Sequence, residues 1–176
     1  MCDAVIGLTR PDGQLPMIGD SDNGRLAVLS GYYLNRSDNN HDMLALGAFL
    51  LNREDLKCLS KDNLGELFWL IDSANLSSFV QATEKFSIPE YQHYQSGGLC
   101  VLQNRERKDF ILFRTDWPEG ECPTGHRHND LLSLEIWLNG DPITVDPGTL
   151  TSTAAFQVRN DLRSKKSNAT VPLNHN

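Results

Sequence analysis

The chain lacks the features that mark a membrane protein, a cysteine-based scaffold or a nucleic-acid binder. No apolar run approaches the roughly 20 residues that a membrane span needs, and the opening Met1-Cys2-Asp3-Ala4-Val5-Ile6-Gly7 has neither the basic start nor the apolar stretch of a signal peptide. For a fragment that second absence says nothing about compartment. The four cysteines, Cys2, Cys58, Cys100 and Cys122, are scattered without a C-x-x-C pair, so neither a cysteine zinc site nor a dithiol redox motif is indicated. Two disulfides and four thiols both stay open. Lys and Arg number 16 against 23 Asp and Glu, and the resulting net charge of −7 disfavours nucleic acid, because binding phosphates requires concentrated cations that release counterions. A local basic patch of Arg159, Arg163, Lys165 and Lys166 reads as a solvated loop.

What is present is an ordinary globular composition. At 176 residues, with 39% hydrophobic and 22% charged, the chain can bury a core as one domain or two small ones. The first 25 residues are rich in turn formers: Pro11-Asp12-Gly13, Pro16 and the run Gly19-Asp20-Ser21-Asp22-Asn23-Gly24-Arg25. A calcium loop is excluded there, since the sixth position would be Arg25 instead of glycine and the twelfth Gly31 instead of glutamate. A loop facing solvent or substrate is expected. From about Arg25 to Phe79 the pattern is helical. Met43, Leu46 and Leu50, with Leu44, Ala48 and Leu51 one step round, form a broad apolar face. A second helix is expected to start at Asn63 as N-cap, with Glu66 completing a capping box, and to bury Leu64, Leu67, Phe68 and Ile71.

Character changes at Ile88-Pro89, which sets an expected boundary between residues 1–87 and 88–176. Beyond it, Gly98 to Leu102, Phe110 to Thr115, Leu131 to Leu138 and Ile143 to Val145 are short runs rich in β-branched and aromatic residues, the pattern of antiparallel strands. Asn139-Gly140 predicts a two-residue hairpin, because both residues tolerate positive φ. That turn makes Leu138 face Asp141 and pairs Ile136 with Ile143 and Leu134 with Val145 on one apolar face. Tyr32 and Tyr33 read as helix-packing aromatics, and Tyr91 and Tyr94 as part of the crossing between the two parts.

Chemistry concentrates in Gly125-His126-Arg127-His128-Asn129-Asp130-Leu131-Leu132-Ser133, followed by Val145-Asp146-Pro147-Gly148-Thr149. Imidazoles at i and i+2 share one side of an extended backbone, and a carboxylate follows on the next strand. These are the residue types of a metal site or of a histidine that handles protons. A polar strand end without a ligand accounts for them equally well. If the strand ran straight, His128 would lie roughly 16 Å from the position opposite Asp146, at ~3.3 Å per residue. A shared site therefore requires the Gly125 to Asp130 segment to bend back over the sheet, and Asn129-Asp130 suit such a bend.

These residues resemble the heparinase II/III-like polysaccharide lyases, which place a helical (α/α) toroid before a β-sandwich. The likeness continues in Arg159, Arg163 and Ser164, then Asn168-Ala169-Thr170-Val171, where the family shows an Arg-rich stretch and a His-Asn-Thr-Val motif. Upstream, Ile18-Gly19-Asp20-Ser21-Asp22-Asn23-Gly24-Arg25 and His41-Asp42-Met43-Leu44-Ala45-Leu46-Gly47-Ala48 look like closing toroid helices. The resemblance implies an α+β chain: the end of a toroid over 1–87 and an incomplete antiparallel β-sandwich over 88–176. It implies that His126 is catalytic, reaching a cleft to neutralise the substrate carboxylate or orient the sugar. It makes His128 and Asp146 ligands of a divalent metal, usually zinc. The third ligand, ordinarily histidine, is Asn168 here, whose neutral, hard amide oxygen weakens zinc and opens the site to an oxygen-preferring ion. The family's catalytic tyrosine lies farther upstream of the histidine pair than this chain reaches.

The implied function is part of a lyase that cleaves uronic-acid-containing glycans by β-elimination, inactive alone, with an acidic polysaccharide as substrate and the rest of the toroid as partner. Arg159 and Arg163 are candidates for binding carboxylate or sulfate groups in a bidentate manner, and pairing with surface acids such as Asp161 competes with that role. Two other readings stand beside it. One is a non-catalytic polysaccharide-binding β-sandwich module. The other is a two-histidine, one-carboxylate iron site made by His126, His128 and Asp146, against which the helical N-terminal part counts, since such a site belongs in an all-β barrel. A sandwich cut before its last strands leaves an open edge and exposed apolar faces, so self-association is expected.

Overall fold

A computed structural model describes residues 2–20, 29, 41–60, 64–81, 87–115, 128–148, 155–164 and 166–170. The chain divides into two compact units, one of Met1–Thr9, Gly13–Leu15 and Asn23–Ile88, the other of Arg10–Asp12, Pro16–Asp22 and Pro89–Asn176. The second unit thus takes two short pieces from the N-terminal stretch as well as everything after Ile88. Helices and an antiparallel sheet together make the fold α+β.

The first unit is helical: α1 (Cys2–Leu8), α2 (His41–Leu51), α3 (Glu54–Leu59), α4 (Leu67–Leu70) and α5 (Ser73–Gln81). Its core is Val5, Ile6, Leu44, Ala48 and Leu56. The turn-rich reading of the N-terminus is corrected by α1, whose Val5 and Ile6 supply two of those five residues. Gly47 permits the approach of α1 to α2, because a Cβ there would sit 2.8 Å from Cys2 Sγ. The apolar face of α2 is narrower than its spacing suggests: Leu44, Ala45 and Ala48 are buried, while Met43, Leu50 and Leu51 are exposed. Phe68, expected inside, is 61% exposed, and only Leu67 of α4 is buried. One helical turn presents too little face to bury two neighbouring side chains. Asn63, the expected N-cap, and Tyr32 and Tyr33 lie outside the described residues. Asp72 caps α5, accepting the Asn75 backbone N–H at 2.9 Å.

The second unit is built on one five-stranded antiparallel sheet in sequential order: β1 (Tyr91–Tyr94), β2 (Leu99–Asn104), β3 (Asp109–Arg114), β4 (Leu134–Leu138) and β5 (Asp141–Thr144), with helix α6 (Phe156–Leu162) after it. Tyr91 and Tyr94 are therefore strand residues, paired with Leu102 and Leu99, instead of a crossing. The hairpin turn forms as expected, with Asn139 at φ 54°, Gly140 at φ 90° and Leu138 facing Asp141. The Trp137–Pro142 pair keeps the expected register, and only beyond it does the pairing depart: Ile136 meets Thr144, leaving Ile143 as an extra residue in a bulge. Pro142 has no N–H to give to the ladder, and a bulge is how a strand absorbs that loss. The Leu134–Val145 pair is replaced by a bond from the Thr144 hydroxyl to the Leu134 carbonyl at 2.9 Å.

The sheet's two faces differ from expectation as well. Leu99, Val101 and Gln103, Phe110, Leu112 and Arg114, and Glu135 and Trp137 point to the buried face. Leu102, Leu134, Leu138 and Ile143 are exposed. The expected apolar face of the hairpin is thus the open one, because the N-terminal pieces of this unit cover the other. The Arg10 guanidinium carbon stands 5.2 Å from the centre of the Trp137 ring, and its Nη1 donates to Glu135 Oε1 at 3.2 Å. Trp137 Nε1 donates to the same oxygen at 2.9 Å. Among the described residues, Cys2, Cys58 and Cys100 form no disulfide, and no helix is long and apolar enough to cross a membrane.

Candidate functional site

The chain does fold back before β4, in a turn from Asp130 to Ser133 that begins at the second residue of the expected Asn129-Asp130 bend. Ser133 N–H donates to the Asp130 carbonyl at 2.9 Å, closing a turn in which Leu132 has φ 61°. Backbone bonds fasten both sides of this corner: Leu132 N–H to the Arg114 carbonyl at 3.0 Å, Asn129 N–H to the Arg163 carbonyl at 3.0 Å and Leu134 N–H to the Ala169 carbonyl at 3.1 Å. The strand therefore starts only at Leu134, and the straight-strand separation of His128 from Asp146 disappears. The His128 side chain is fully buried, and its Nδ1 stands 3.7 Å from Asp146 Oδ2.

Asp146 owes its direction to the turn that follows it. Its Oδ1 accepts the Gly148 N–H at 2.7 Å, an Asx-type closure that leaves Oδ2 for His128. Gly148 sits at φ 72°, where a side chain is strained, and a Cβ there would lie 2.8 Å from Met17 Cε. The Asp146-Pro147-Gly148 spacing thus has a mechanical reason: a carboxylate, a rigid link and a residue able to take positive φ.

On the other side of the ring stands a residue that sequence reasoning placed in an open loop. His128 Nε2 lies 3.1 Å from Asp20 Oδ1, and the Asp20 side chain is only 5% exposed. Asp20 Oδ2 accepts a hydrogen bond from Arg159 Nη2, and Arg163 Nε stands 3.7 Å from Oδ1. Burial works to raise the Asp20 pKa, but the Arg159 bond, the His128 contact and the charge of Arg163 outweigh it and hold the carboxyl at about 2. Burial works to lower the His128 pKa, and Asp146 and Asp20 on either side of the ring outweigh it, so its net direction is upward.

Beside this corner is a cavity of about 30 Å³, lined among others by Arg114, Asp130, Glu135, Asp146 and Asn168. That volume holds a water or an ion. Arg114 Nη1 donates to Asp130 Oδ2 at 2.6 Å. Burial raises the pKa of Asp130 against the opposing charge of Arg114, and burial likewise raises Glu135 against the Trp137 N–H and Arg10. Asn168 is buried. Its Nδ2 donates to the Ser164 carbonyl at 2.9 Å, while its Oδ1 has no hydrogen-bond partner among the described residues. Neither has His128 Nδ1.

Of the expected site residues, His128 and Asp146 are brought together, and Asn168 shares the cavity with Asp146. Arg159 and Arg163 turn to Asp20. His126 lies outside the described residues, and with it the three-ligand iron arrangement. Among the described residues, no three His, Cys, Asp or Glu side chains gather as a metal cluster. Asp20 was invisible locally, since 108 positions separate it from His128.

Residues 89–176, half of the chain, match the family described as Heparinase II/III-like, C-terminal. No curated protein matches the chain. Among solved structures, a heparinase III gene product is similar at a TM-score of 0.58 and 15% identity over 92% of this chain. Heparan sulfate lyase HepC from Pedobacter heparinus is similar at 0.58 and 18% over 91%. The chain spans 21% of the length of each.

Proposed function

Because the chain belongs to the heparinase II/III-like family, we propose that it is part of a polysaccharide lyase that cleaves uronic-acid-containing glycans by β-elimination, with the catalytic tyrosine supplied from outside these 176 residues. In such a step a base takes the C5 proton, the C4=C5 double bond forms as the C4–O bond breaks, and an acid protonates the leaving oxygen. Neutralising the C6 carboxylate is what makes the C5 proton acidic. His126 is our candidate for that role, as imidazolium or as a proton carrier. The observation that supports this reading is the rigid corner two residues farther on: a buried His128 ring held between Asp20 and Asp146. A catalytic histidine two residues upstream would need such an anchored neighbour, since a reacting centre requires fixed positioning.

The corner also suits a divalent ion. His128 Nδ1 and Asn168 Oδ1 are buried without hydrogen-bond partners among the described residues. The 3.7 Å between Nδ1 and Asp146 Oδ2 is too long for a good hydrogen bond and close to the separation of two ligands on one ion at about 2 Å each. His128, Asp146 and Asn168 would hold it, and it would serve as a cross-link tying the histidine corner to the turn and the C-terminal segment. Two nominal oxygen donors to one nitrogen make this site less selective for zinc than a two-histidine set.

The test is the release of unsaturated uronate, read by its ultraviolet absorbance, from heparan sulfate, the substrate named for one structural neighbour, and from a polyuronate. The chain alone should release none. Combined with the toroid part of a heparinase III it should release product, and His126→Ala should lower that rate by about 10²–10⁴-fold. Product from the chain alone would contradict the external tyrosine. Glycan binding by calorimetry without product in the combined enzyme would favour the binding module.

A further inference from the structure

We propose that Asp20 is a positioning residue: by accepting a hydrogen bond from His128 Nε2–H it selects the ring tautomer whose Nδ1 lone pair faces Asp146, and Arg159 and Arg163 hold Asp20 in place to do so. The ring and the carboxylate are both buried, so water cannot substitute for either partner. An ionised carboxylate only accepts, so a contact of 3.1 Å is a hydrogen bond only if Nε2 carries the proton. A neutral ring has one N–H, and the second carboxylate, Asp146, stands farther away at 3.7 Å. The nearer oxygen keeps the proton, and Nδ1 is left with its lone pair and no hydrogen-bond partner among the described residues. The guanidinium groups of Arg159 and Arg163 explain how an acid stays charged at such a buried position. This assignment gives the two arginines a job inside the protein.

The tautomer claim stands on this geometry alone, whereas its consequence for ion binding rests on the metal reading above. A carboxylate on the far nitrogen of a ligating imidazole orients the ring, and losing it lowers metal affinity by about 10–100-fold.

The experiment is nitrogen-15 NMR of the His128 ring in the metal-free 176-residue chain at about pH 9, together with calorimetric titration of Zn²⁺ and Mn²⁺. The wild-type ring should show a protonated Nε2 and a bare Nδ1. In Asp20→Asn the amide oxygen turns to Arg159 and the NH₂ faces the ring, so Nε2 must accept and the proton should move to Nδ1. Asp20→Ala should leave a mixture of tautomers. Both variants should bind the ions about 10–100-fold more weakly, with circular dichroism unchanged. A folded Asp20→Asn or Asp20→Ala protein that keeps the wild-type tautomer overturns the proposal. If the tautomer responds but the wild type takes up neither ion, Asp20 keeps its assignment and the metal reading fails.

Discussion

Both faces of the sheet carry apolar side chains, yet only one is buried, and that one holds charged groups as well. On one face Gln103, Arg114 and Glu135 are buried beside Leu112, Phe110 and Trp137. On the other, Leu102, Leu134, Leu138 and Ile143 are open, the last at 59% exposure. The difference teaches that burial follows from what chain is available to cover a face. Arg10 and Asp12 arrive on the Glu135 side with the charges and the cation–π contact that a buried carboxylate needs. No such partner arrives on the leucine side among the described residues. A patch of that kind is a docking face or an aggregation liability.

The comparison breaks most severely at Arg10. Arg10→Ala strips Glu135 of its counter-charge, and the expected loss is about 3–5 kcal/mol in urea unfolding, enough to abolish the folded sheet unit in a marginal protein. A loss under half a unit of that scale would mean Glu135 is neutral in the fold. The next effect is at the turn that aims Asp146. Gly148→Ala should cost about 1 kcal/mol or more from positive φ alone, with the Met17 methyl yielding to the new Cβ. Thermal unfolding reads it directly.

A pH test sharpens the contrast. Burial raises the Glu135 pKa above its ordinary 4.5, so the folded state holds the proton longer than the unfolded one. Its contribution to stability is then fully present below pH 4.5 and is lost as pH rises through the folded-state value. Glu135→Gln should flatten that part of the stability–pH curve, and an unchanged curve would refute the shift. On the open face the expected effects are smallest. Leu102→Lys and Leu138→Lys should change stability by no more than about 0.5 kcal/mol. They should nevertheless reduce the self-association that light scattering is expected to detect in the unmodified chain.

Legibility in the sequence followed the distance over which each feature is encoded. The Asn139-Gly140 turn and its Leu138–Asp141 pair are written in adjacent residues, as is the Asp146-Pro147-Gly148 closure. The approach of His128 to Asp146 was legible as a requirement, a bend near Asn129-Asp130, though the positive φ at Leu132 within that turn was not. The Ile143 bulge was hidden because alternation reads side chains, whereas the lost donor of Pro142 acts on the backbone ladder. Strand β1 has little apolar signal of its own, since Tyr91-Gln92-His93-Tyr94 becomes a strand by pairing with β2.

The amino-acid sequence by itself determined the change from helix to sheet near Ile88-Pro89, the hairpin turn and the positions at which imidazoles and carboxylates stand, since each depends on local torsions and side-chain type. The tertiary structure alone decided which face of the sheet is covered, that Asp20 meets His128 across 108 positions, and that Arg159 and Arg163 turn toward that acid. Those outcomes depend on bringing distant segments together and excluding water from charged groups, and no short stretch of chain contains the energy that settles them.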